Sequence, residues 1–77
     1  DWDQELQREV FRWAAREIRP EFEDTTWLAF WLSAVDGLPI STVADELGKS
    51  TGAVYIARSR VMQRFRDKVN QYESEKR

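Results

Sequence analysis

The sequence predicts an all-α fold, a small helical bundle of four helices with the last two joined by a tight turn. Two observations carry this prediction. Apolar residues recur at helical spacing in both halves of the chain, and no stretch shows the strict apolar–polar alternation of a half-buried strand. Helix breakers then divide the periodic stretches, with Pro20, Gly37, Pro39 and Gly48 falling between them.

The first helix is expected over 2–18. Trp2, Leu6, Val10, Trp13 with Ala14, and Ile18 paint one stripe, with charged residues around it. Pro20 disfavours helical backbone at Arg19 and ends it. Residues 19–24, RPEFED, read as a connector with Phe22 turned inward and Asp24 or Thr25 capping the next helix. The second helix, 25–36, reads TTWLAFWLSAVD and is apolar on nearly every side. Such a helix must be surrounded, so it is expected at the centre, or else one of its faces docks another protein. Gly37 suits a left-handed residue beyond its end. A short third helix follows at 41–47, with Ser41 as cap and Val43, Ala44 and Leu47 facing in. The fourth runs over 51–67 with Ser50 as cap, extending at most to Tyr72, and the tail 70–77 is expected to fray.

Seventy-seven residues make a single domain with a limited core. The absence of Cys excludes disulfides and thiolate chemistry. With no His either, the usual neutral-pH base and the commonest metal ligand are missing, so neither an enzyme nor a metal site is expected. No cofactor or small-molecule substrate is implied. The acidic start is no signal peptide, and the apolar run 27–32 is too short to span a bilayer, which fits a cytoplasmic protein. The chain reads as a domain excised from a longer protein.

Net charge is −2, but its distribution is uneven. Residues 1–24 carry eight acids against four arginines, a balance of −4. Residues 25–48 add Asp36, Asp45 and Glu46. Residues 49–68 carry six cations against Asp67 alone, a balance of +5. An acidic front precedes a basic helix, and such asymmetry shapes the local field more than the total does.

The turn Gly48-Lys49-Ser50 between two helices is the spacing of a C-terminal helix-turn-helix. Where the helices cross, the first needs a small residue, which Ala44 supplies. Four residues on, Gly48 accommodates a positive φ. Val43 and Leu47 on one helix, and Val54 and Ala57 on the other, fall in register to close the pair. Lys49 departs from the apolar residue often found in that turn. An αα-corner without a ligand satisfies the same pattern.

The stretch GLPISTVADELGKSTGAVYIARSRVMQRFR, with TTWLAFWLSAVDGL before it, resembles region 4, the C-terminal region of sigma-70-type RNA polymerase sigma factors, specifically the extracytoplasmic-function group. Leu38, Ser41 to Ala44, Leu47-Gly48, Ser50, Gly52-Ala53-Val54, Arg60 and Arg64-Phe65-Arg66 carry the likeness, which covers about residues 22–67. It implies a domain that reads the −35 promoter element in the major groove while docked on the flap of the polymerase β subunit. An anti-sigma factor is a further implied partner. Many members have an arginine where Ala57 stands and an aliphatic residue where Arg58 stands. The exchange leaves the direction of Arg58 open: along the groove wall it clamps phosphate, whereas turned inward it shifts the reading face by one residue.

By position on the second helix, Tyr55, Ile56, Ser59 and Arg60 form the base-proximal set. Arg60 suits a bidentate contact to guanine, and Ile56 suits a thymine methyl. Lys49, Ser50, Thr51, Arg58 and Arg64 are the candidate phosphate contacts, with the helix start contributing N–H groups. Trp27, Phe30 and Trp31 are the candidate polymerase-docking residues. The four tryptophans are expected to pack rather than to stack on a ligand, and the acidic first helix to sit away from the duplex. Two rival readings remain: a helix-turn-helix domain of a two-component-type regulator, and a protein–protein module whose basic helix is only a solvated face.

Overall fold

The computed structural model describes residues 2–75, apart from the side chain of Trp2. It is all-α: among the described residues there are four helices and no strand. Helix α1 spans Trp2–Ile18, and a single 3-10 turn, Arg19–Glu21, follows it. Helix α2 spans Asp24–Phe30 and continues as a wider π-helical turn, Trp31–Val35. Helix α3 spans Ile40–Leu47, and α4 spans Thr51–Glu75. The 25 residues of α4 rise about 37 Å, which accounts for most of the 43 Å long axis. Helices α1, α2 and α3 all pack on it.

Two apolar clusters lie along this spine. The distal one gathers Ala14 and Ile18 of α1, Phe30 of α2, and Val61 and Phe65 of α4. It is largely aromatic: Phe65 stacks on Phe11 at 5.0 Å between ring centroids and meets Phe30 at 5.2 Å. Trp27 and Trp31, 6.0 Å apart, close its rim. The proximal cluster is aliphatic, with Ala29, Val43, Ala44 and Val54 buried and Ile40, Leu47 and Ala57 around them. Helix α2 serves both. Trp27, Phe30, Trp31 and Ala34 face the aromatic cluster, whereas Ala29 and Leu32 face the aliphatic one. That double duty explains why this segment is apolar on nearly every side and why it lies between its neighbours.

Several expected boundaries move. Neither Asp24 nor Thr25 caps α2. Glu23 precedes the helix without a capping side chain, and the Asp24 carboxylate instead accepts a 2.6 Å hydrogen bond from Arg19. Ser41 is not the cap of α3 either: the helix already begins at Ile40, preceded by Pro39 in extended backbone at φ −58 and ψ 146. The end of α2 widens where Asp36 N–H bonds to the Trp31 carbonyl, five residues back. Within that stretch the buried Ser33 hydroxyl donates to the carbonyl of Ala29 at 2.6 Å. Leu38 N–H then closes on the Leu32 carbonyl, with Gly37 left-handed at φ 77.

The fourth helix does not stop at 67, and residues 70–75 are helical rather than frayed. Gln63 bonds Asp67, Lys68 bonds Gln71 and Gln71 bonds Glu75 along its surface. Tyr72 reaches back to Trp13 of α1, ring to ring at 5.7 Å. Residues 76 and 77 of the expected tail lie outside the described residues. Of the α1 stripe, Ala14 and Ile18 are buried, but Leu6 is 44% exposed, since α1 meets α4 mainly through its C-terminal half. The stripe's first member, Trp2, falls outside what is described of the side chains.

Candidate nucleic-acid interface

The α3–turn–α4 unit is built as its sequence dictates. Gly48 sits in the left-handed region at φ 65. Lys49 N–H bonds to the Ala44 carbonyl at 2.9 Å, and Gly48 N–H bonds to that of Asp45 at 3.3 Å. This double closure satisfies carbonyls left open at the end of α3. Ser50 caps α4, its hydroxyl accepting the Ala53 N–H at 3.1 Å. Ala44 and Val43 are buried against Val54, with Leu47 and Ala57 beside them.

With Val54 and Val61 fully buried, the opposite side of the first turns of α4 faces outward. Tyr55, Ile56, Ser59 and Arg60 are all exposed on that side. Tyr55 at 55% and Ile56 at 63% are the most exposed large apolar side chains among the described residues. Between 49 and 60 the chain carries Lys49, Arg58 and Arg60 and no carboxylate, and none of the three makes an ion pair among the described residues. Arg58 is half-buried, flanking the line from Val54 to Val61, and Ala57 flanks it on the other side, against the aliphatic cluster. Both residues therefore border the core, and the outward face stays in the register expected for Tyr55, Ile56 and Ser59.

Arg60 stands at the edge of that face. It lines one cleft with Lys49, Thr25 and Thr26, and the next cleft with Glu21, Phe22 and Gln63. Arg64 departs from its expected role. Its guanidinium is held bidentately by Glu21, with Nε to Oε1 at 2.7 Å and Nη2 to Oε2 at 2.8 Å, and it lies 3.7 Å from Asp67. The hydrogen bonds from Arg64 hold the Glu21 carboxyl below its ordinary value, and those same bonds raise Arg64. This guanidinium is thus already occupied by carboxylates. Lys68, farther along, lies 3.6 Å from Glu17 and 5.5 Å from the Trp13 ring.

The docking trio also changes. Phe30 is 1% exposed and belongs to the core, so it offers nothing to a partner. Trp27 and Trp31 are half-buried. The guanidinium of Arg19 covers Trp27 at 5.5 Å, while Trp31 lines an open groove with Phe11 and Val35 that Arg8 and Arg12 flank. Sequence periodicity missed Phe11 and Val35. Phe11 lies just off the α1 stripe, and Val35 is exposed at the end of the π turn, which has no sequence signature. The acidic α1 packs against the C-terminal half of α4 through Phe65, Lys68 and Tyr72, away from residues 49–60.

Among the described residues no group of three or more acidic side chains gathers where a metal ion could be held, and no helix is long and apolar enough to cross a membrane. Comparison with known proteins finds no matching family model and no significantly similar curated protein or solved structure.

Proposed function

We propose that this chain binds double-stranded DNA sequence-specifically, with α3, the Gly48-Lys49-Ser50 turn and α4 acting as a helix-turn-helix. In this reading it is the region 4 domain of a sigma factor of the extracytoplasmic-function group, recognising a promoter −35 element in the cytoplasm together with RNA polymerase. Its action is binding, not catalysis. The observation that carries the proposal is the outward face of the first turns of α4. It joins Tyr55, Ile56 and Ser59 to cations that make no ion pair among the described residues, and it has no carboxylate.

That combination suits the major groove, which admits a helix and displays thymine methyls together with donors and acceptors. Ile56 meets a methyl, while Tyr55 and Ser59 reach base edges or phosphates. Lys49 and Arg58 flank them as phosphate contacts, and Ser50 and Thr51 place the N–H groups of the helix start toward a phosphate. A handful of such contacts gives modest affinity with a clear salt dependence, so polymerase must supply much of the positioning. We place polymerase docking at the open groove of Trp31, Phe11 and Val35, with Trp27 beside it and Phe30 excluded.

The test is selection of tight binders from a pool of random-sequence duplexes at low salt. Enrichment of one short motif is the expected result. Recovery of duplexes without any common motif would sink sequence-specific recognition.

A further inference from the structure

We infer that the cleft between the start of α2 and the first turns of α4 is a clamp for one phosphodiester of the DNA backbone. The inference rests on the DNA-binding reading above. One wall of the cleft is Thr25 and Thr26; the other is Lys49, Ile56 and Arg60. Every polar side chain of this set can donate a hydrogen bond, and none is a carboxylate. The two threonines are half-buried with their hydroxyls open to solvent, and neither hydroxyl has a hydrogen-bond partner among the described residues. Lys49 and Arg60 likewise make no ion pair among them.

Solvent-open donors that line one cleft and have no partner among the described residues fit a ligand group that only accepts, carries negative charge and offers several oxygens. A phosphate is such a group. The neighbouring cleft is the internal contrast, since there Glu21 already satisfies the cation Arg64. The position favours a duplex over a free phosphate. The cleft is open and continuous with the exposed strip at Ile56, and a helix seated in the major groove is flanked by backbone phosphates. Two consequences follow. Helix α2 contacts DNA through Thr25 and Thr26, outside the helix-turn-helix. Arg60 acts on the backbone, and sequence is read by Tyr55, Ile56 and Ser59.

The test uses the whole chain and a mixed-sequence duplex, with the paired variant Thr25→Val/Thr26→Val and, separately, the exposed Lys49→Gln, which does not touch the core. Unchanged circular dichroism establishes folding. The double variant is expected to lose roughly fivefold in affinity, the equivalent of one or two hydrogen bonds. Lys49→Gln is expected to lower the log–log salt slope by about 0.9, as one phosphate contact does. Wild-type affinity and slope in both variants would overturn the clamp while leaving DNA binding intact. Failure of the wild-type chain to bind any duplex at low salt would instead overturn the DNA reading itself. Inorganic phosphate separates the source: amide shifts at 25, 26 and 49 with phosphate but none with duplex would overturn the assignment to a DNA backbone.

Discussion

Lys49 in the turn before α4, and Arg58 and Arg60 in its early turns, make no ion pair among the described residues, whereas Arg64 and Lys68, a turn or two farther on, are held by Glu21, Asp67 and Glu17. The two regions differ in their cores as well. The start of α4 closes on small aliphatic side chains, and its later turns close on stacked aromatic rings. Positive charge along one helix is therefore not one property. Where the acidic α1 and its connector pack, Arg64 and Lys68 become structural, while the exposed Arg66 between them makes no ion pair among the described residues. Where the neighbour is the short α3, they stay available. On this account the aromatic half supplies stability and the aliphatic half supplies the ligand face.

The largest expected effect tests the aromatic half. Phe30→Ala should cost about 3–5 kcal/mol in urea denaturation, enough to threaten a domain of this size. A loss below about 1 kcal/mol would mean that the rings are not the structural core. Next comes the turn that sets the aliphatic half. A Cβ on Gly48 would meet nothing within 4 Å, so Gly48→Ala tests backbone conformation alone. It should cost about 1–2 kcal/mol, read as a fall in Tm. A neutral result would show that the turn relaxes out of its left-handed state.

A pair of variants then divides α4 directly. Arg60→Ala should lower the log–log salt slope of duplex binding by about 0.9, equally on every sequence. Arg64→Ala should leave that slope where it is. Equal losses in both would mean that Glu21 releases Arg64 to the phosphate backbone, and the division would fail.

The smallest effect concerns pH. Because Glu21 has a lowered pKa, its contribution is present above its ordinary value of 4.5 and is lost as pH falls through the depressed folded value. The raised Arg64 contributes below its own ordinary value and is fully charged throughout that range. Wild-type Tm should therefore drop more steeply than that of Glu21→Gln on acidification below 4.5. The pair is partly exposed, so added salt should shrink the difference. Parallel curves would show that the contact adds nothing.

Much of the framework could be read from local signals. The span of α1, the central place of α2, the left-handed Gly37 and Gly48, and the Ser50 cap each depend on residues a few positions apart. The outward set Tyr55, Ile56, Ser59 and Arg60 followed from the same helical arithmetic. What escaped depends on distance in the chain. Arg64 meets Glu21 across 43 residues, and nothing near either announces it. Phe30 and Trp31 look alike as neighbouring aromatics, and only packing sends one inside and leaves the other lining a groove. The π turn shifts the phase of α2 without a Pro or Gly to mark it. The helical tail to Glu75 depends on Trp13 and Tyr72 meeting across two helices.

The most direct test of the central claim is an amide NMR titration of the whole chain with a duplex at low salt, where electrostatic binding is strongest. Shifts are expected to concentrate at residues 49–60, with 25 and 26 joining them, while the distal turns around Arg64 and Lys68 stay unmoved. Shifts centred on the distal turns, or none along 49–60, would contradict it.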